Sequence, residues 1–95
     1  MIENSFETAQ AFAEYVHSDR YGFSKIVVNG CFNLYESEED SLIVMSSFIE
    51  EYQNYFDITI NKEDLLITLK QNLKIYEQEE DYEGCAKIYE LIKKL

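Results

Sequence analysis

The chain has 95 residues, 19 acidic and 8 basic side chains and a formal net charge of -11. That is one domain, residues 1–95, with no room for a second core. So acidic a surface repels DNA, RNA and anionic membranes, because each phosphate contact needs a cation to displace counterions; neither direct nucleic-acid binding nor membrane binding is expected.

An aromatic fraction of 15%, with eight Tyr and six Phe, sets the chain apart from a disordered acidic tail. The charge is uneven: residues 1–60 hold 11 acids against 2 bases, and residues 61–95 hold 8 against 6. The start, Met1-Ile2-Glu3-Asn4-Ser5, has neither the basic nor the apolar region of a signal peptide. No apolar run approaches the roughly 18 residues of a membrane span. With only Cys31 and Cys85, far apart in sequence, a reducing cytoplasm and free thiols are the expectation.

In chain order, Asn4-Ser5-Phe6-Glu7 reads as a capping-box-like start, followed by Phe6, Ala9, Phe12, Ala13 and Val16 at helical spacing. A first helix over about residues 5–18 is predicted, ending near Tyr21 and Gly22. Residues 23–36 follow with Asn29-Gly30 in the middle, a strong two-residue hairpin signal because a type I′ turn needs φ > 0 at both positions. That turn would set Val28 opposite Cys31 and Val27 opposite Phe32.

Ser37-Glu38-Glu39-Asp40 has the hydroxyl cap and early acids of a helix start. Leu42, Met45, Ile49, Tyr52 and Phe56 lie on one helical stripe, so a central helix is predicted. A third meander strand at Ser41–Ser46 is the alternative. Asp57–Ile60 alternates like a short strand. Asn61-Lys62-Glu63-Asp64 then caps a helix carrying Leu65, Leu66, Leu69, Leu73 and Tyr76. After the polar turn Gln78–Asp81, a last helix carries Cys85, Ala86, Tyr89 and Ile92. The expected fold is α+β: an acidic α/β part, residues 1–60, followed by an antiparallel αα-hairpin, residues 61–95.

No residue set points to catalysis. His17, the only histidine, suits a helix C-terminus as a capping cation. No orienting motif surrounds either thiol. Two distant Cys and one His have no metal-ligand spacing, and the acidic runs lack the alternation and central Gly of a calcium loop. The three glycines are isolated, so no phosphate loop exists. The expectation is a non-enzyme without metal or cofactor.

Apolar positions on the hairpin exceed what two helices can bury between them, and this surplus must dock somewhere. Asp81-Tyr82-Glu83, Ala86, Ile88, Ile92 and Leu95, with the basic ending Lys93-Lys94, resemble the UVR motif of bacterial excision-repair proteins and some Clp-associated factors. That motif runs from a leucine-bearing helix through an Asp-aromatic-Glu-x-Ala-Ala turn into an Ile/Leu-Arg-Asp-x-Ile-x-x-Leu helix. The resemblance covers about a third of the chain. Here Cys85 stands in place of the first Ala, and Tyr89-Glu90 in place of Arg-Asp. It implies protein–protein contact, often with another copy of the same hairpin, which would make a homodimer.

The first functional expectation is therefore a small adaptor or regulator that binds a partner or itself through Tyr82, Ile88, Tyr89, Leu91, Ile92 and Leu95. The second is an acidic inhibitor that occupies the basic groove of a nucleic-acid-binding protein through Glu36, Glu38, Glu39, Asp40, Glu50 and Glu51, grouped around the central helix. In composition the chain is similar to small, acidic, tyrosine-rich phage proteins that work this way. A structural or assembly component is the third. Phe6, Phe12, Phe48 and Tyr52 are expected in the core, while eight tyrosines are too many to be buried in it.

Overall fold

A computed structural model describes all 95 residues. The elements are β1 (Ile2–Phe6), α1 (Ala9–Ser18), α2 (Arg20–Glu36), β2 (Ser41–Ile49), a 3-10 turn (Glu50–Tyr52), β3 (Asn54–Asn61), a second 3-10 turn (Lys62–Asp64), α3 (Leu65–Gln78) and α4 (Tyr82–Lys94). The fold class is α+β, with four helices, a three-stranded mixed sheet and a C-terminal helix pair. The sheet order is β1-β2-β3, with β1 parallel and β3 antiparallel to β2. No helix is long and apolar enough to cross a membrane.

The first expected helix is present as α1 with a later start, and two expected elements are replaced. Asn4–Phe6 belongs to β1 rather than to a helix start, and Thr8 is the actual cap of α1, its Oγ1 accepting from the Ala11 amide at 3.0 Å. Tertiary pairing overrides the local capping signal here: Ser47 Oγ donates to Asn4 Oδ1 at 2.5 Å across the β1–β2 ladder.

The hairpin with an Asn29-Gly30 turn does not exist, and the cross-strand pairs Val28–Cys31 and Val27–Phe32 fall with it. Residues 20–36 form the longest helix, α2, capped by Asp19 Oδ1, which accepts from the Gly22 amide at 3.1 Å. Ser24, Val27, Val28, Cys31 and Leu34 are its buried stripe, recurring at the 3–4 residue interval of a helix. Gly30 is there for space: a Cβ would lie 2.3 Å from Val44 Cγ1, and no glycine in the chain has positive φ.

The central helix is a strand pair instead, so the meander-strand alternative for Ser41–Ser46 describes this segment. A bulge between Ile43 and Met45 explains why a helical stripe fitted. The extra residue changes the strand's parity. Leu42 and Met45 therefore both turn toward the helices although they are three residues apart, Ile49 follows at an even interval, and Met45 and Ile49 are fully buried. Tyr52 is 56% exposed and leaves the expected core; Phe6, Phe12 and Phe48 are half-buried. Asp57–Ile60 is strand, as expected, within β3.

The main core joins α2, the sheet and the two C-terminal helices: Val28, Cys31, Leu34, Val44, Leu65, Leu69 and Ile88 sit at its centre. The buried Ser24 donates its Oγ–H to Asn72 Oδ1 at 2.7 Å and fixes α2 against α3. Phe6 packs on Phe12 and Tyr15, with ring centroids 5.5 and 5.4 Å apart, and holds α1 to β1.

Candidate functional site

The hairpin is built from two amphipathic helices. On α3, Leu65, Leu69, Leu73 and Tyr76 are buried; on α4, Cys85, Ile88 and Leu91 are buried. Glu80 turns the chain with φ 57. Asp81 then starts α4, its Oδ1 accepting from the Gly84 amide at 2.9 Å. The other oxygen accepts from Tyr21 Oη at 2.5 Å, which ties the hairpin turn to the start of α2. The two bonds hold the Asp81 carboxyl below its ordinary range, the phenol contributing first and the backbone amide second. The same carboxylate pushes the Tyr21 hydroxyl up to about 12, with burial adding to it.

Of the six expected contact residues, three face outward: Tyr82 (69% exposed), Tyr89 (49%) and Leu95 (48%). Ile88 and Leu91 are spent on the domain's own core, so neither is a contact residue. Ile92 is half-buried and packs against that core. The domain, rather than a partner, takes that part of the apolar surplus. What sequence reasoning missed is on α3: Leu66 and Ile67 are 40% and 57% exposed. Because the helices run antiparallel, they share one end of the hairpin with Leu95. The signal was present, since Leu65, Leu66, Ile67 and Leu69 cannot all point to one helix face.

The six acidic residues do not form one face. Glu36, Glu38, Glu39 and Asp40 are exposed at the end of α2 and in the following loop, and Glu50 and Glu51 are exposed past the far end of β2. The nine residues of β2 between them, at about 3.3 Å each, separate the groups by roughly 30 Å. A helix would have kept them within about half that distance. Glu51 acts locally, its Oε1 accepting from the Ala9 amide at 3.2 Å at the start of α1.

His17 is exposed in the last turn of α1, while Cys31 is wholly buried, its thiol pushed up to about 11 by burial. Burial, then the Glu77 and Asp81 charges, also raises the Cys85 thiol. No group of three or more His, Cys, Asp or Glu side chains is placed to hold a metal ion. A cleft of about 260 Å³ between α2 and the sheet is bounded by Ile2, Ile26, Leu42 and Val44, with Asn29 and Asn33 at its polar side.

No protein-family model, curated protein or solved structure matches this chain.

Proposed function

We propose that this chain is a non-enzymatic protein–protein interaction module, a small adaptor or regulator that meets its partner through the outer side of the α3–α4 hairpin. One observation carries this reading: after the hairpin has filled the core, Leu66, Ile67, Tyr82, Tyr89 and Leu95 still face solvent. Exposed aromatic and aliphatic residues on a rigid helix pair are what a partner's pocket takes up as anchors. The likeness of residues 81–95 to the UVR hairpin supports the same assignment.

Pull-down with the tagged chain and with a Leu66→Lys/Tyr89→Lys variant tests it. A partner retained at high salt by the wild type and lost by the folded variant is the expected result. Equal capture by both chains would sink the reading. The acidic-inhibitor alternative rests on the contiguous carboxylates of Glu36, Glu38, Glu39 and Asp40. Binding there would weaken steeply with salt and compete with DNA or RNA.

A further inference from the structure

β3 is an edge strand, and one backbone bond fixes the direction of its amides. The Lys62 amide donates to Asp40 O at 2.7 Å, so it points at β2. Alternation along an antiparallel strand then turns the amides of Ile60, Ile58 and Phe56 inward, and those of Thr59, Asp57 and Tyr55 outward. The bulge residue belongs to β2, so it does not disturb this count. Tyr55 agrees: its N–H binds the neighbouring Asn54 Oδ1 at 2.8 Å rather than a strand.

Natural sheet edges are blunted by Lys, Pro or a bulge, and β3, Asn-Tyr-Phe-Asp-Ile-Thr-Ile-Asn, has none of these. All of Asn54–Asp57 is exposed, so the helical layer does not reach this half of the strand. Phe56 pairs in register with the fully buried Ser47 and so lies on the core face, yet it is 37% exposed. Tyr52 stacks on it, centroids 5.8 Å apart and planes 14° from parallel. On the other face Tyr55 packs on Phe48 at 5.1 Å.

We propose that two copies of this chain join antiparallel through β3, about a two-fold axis at Phe56, into one continuous six-stranded sheet. In this register Phe56 faces its own copy, and the outward amides of Tyr55, which gives up its bond to Asn54 Oδ1, and Asp57 exchange main-chain bonds with the copy's Asp57 and Tyr55. Tyr52 and Phe56 of both chains form one aromatic cluster over the seam.

The occupant is a second copy because the edge complements itself. No like charges are directly opposed in this register, the two Asp57 carboxylates lying on a diagonal about 7–8 Å apart, whereas a two-fold at Asp57 would set carboxylate against carboxylate, which destabilises a strand pair. Between Tyr52 and Asn61 the only charged residue is Asp57, in a chain of net -11. Two such anionic bodies approach most readily where charge is sparsest. The axis also lies at the end of β3 away from α3, so the helical layers diverge from the seam. The dimer would present the hairpin's Tyr82 and Tyr89 twice.

Sedimentation equilibrium of the full chain, from about 1 μM to about 1 mM and at low and high salt, reads this association. The expected result is a concentration-dependent dimer that tightens with salt, because screening relieves the repulsion between the copies. Phe56→Lys sets two ammonium groups together at the axis and is expected to be monomeric throughout, with an unchanged circular dichroism spectrum. Phe56→Cys places the two thiols on a non-hydrogen-bonded antiparallel pair, Cα atoms about 4.5 Å apart, within disulfide reach. Mild oxidation should lock that dimer covalently, a result that stands even if the Lys variant fails to fold. A monomer at every concentration, a dimer that persists in folded Phe56→Lys, failure of Phe56→Cys to cross-link, or a dimer removed by Tyr89→Lys instead, would each overturn the proposal.

Discussion

Gly30 shows how little a residue type says without its surroundings. Beside Asn29 it suggests a turn, yet its use is to let α2 approach β2. Replacing it with Ala gains about 1 kcal/mol of helix propensity. The new methyl, however, would meet Val44 Cγ1 at 2.3 Å and Ile60 Cδ1 at 3.2 Å, and both belong to the core. Overpacking of this kind costs about 1–3 kcal/mol, so Gly30→Ala is expected to lower the urea midpoint; a rise would show that α2 can move outward freely. The Tyr21–Asp81 pair gives a second prediction. Asp81 is depressed in the fold, so its contribution is present above the ordinary 3.8 and is lost as pH falls through the folded value. Tyr21 is raised, so its contribution is present below 10.0 and is lost as pH rises toward about 12. Thermal melts of wild type and Tyr21→Phe should therefore differ most between those ordinary values, and converge in acid and in strong base. A difference independent of pH would mean that the bond is not charge-assisted.

At the scale of elements, legibility followed how local the determining contacts are. Both C-terminal helices were readable because each carries its own period, but only α4 has the start the sequence shows. Asn61 ends β3, residues 62–64 make a 3-10 turn, and neither Asn61 nor Asp64 caps α3 with its side chain, because the chain enters the helix directly from the strand. Asp81 caps α4 from the position where the sequence places a turn. α2 was misread because Asn29-Gly30 is a strong local signal, while the buried stripe Ser24–Leu34 takes its meaning from α3 and the sheet. β2 was misread because a bulge gives a strand the spacing of a helix stripe. For the same reason, exposure on the hairpin was only half legible: sequence shows which side of α4 is apolar, but not that the main core absorbs Ile88 and Leu91. Cys31 separates the two readings of residues 20–36 in solution. In a hairpin it would follow an open turn; in α2 it is wholly buried and its thiol is pushed up to about 11. In a Cys85→Ala chain, native labelling of Cys31 should be slower than that of the unfolded chain by at least about a hundredfold, since only opening of α2 exposes the thiolate. Labelling at the rate of a free thiol would refute the docking of α2.

Across the whole molecule, stability is unevenly spread. The radius of gyration is 14.1 Å and the shortest principal extent 16 Å, against a radius of about 12.4 Å for a compact domain of this length. So thin a body cannot place every element around one centre. The main cluster draws on α2, β2, β3, α3 and α4 and on no residue of β1 or α1, and α1 contains no buried residue. What attaches β1 and α1 is the parallel pairing with β2, the side-chain bonds of Asn4 to Ser47 and Met45, the rings around Phe6, and two bonds from Glu51. Its amide donates to Glu7 O at 2.9 Å, and its carboxylate accepts from Ala9 N at 3.2 Å. Such a unit should open before the rest unfolds. Native-state hydrogen exchange is expected to show α1 amides opening at a free energy at least about 1.4 kcal/mol below that of Leu69 and Ile88, a factor of about ten in protection. Glu51→Ala should widen the gap by removing the carboxylate bond to α1, and leave α3 and α4 unchanged. If α1 exchanges together with the hairpin helices, the small cluster around Phe6 is bound into the main core more firmly than its burial implies, and the chain unfolds as one unit.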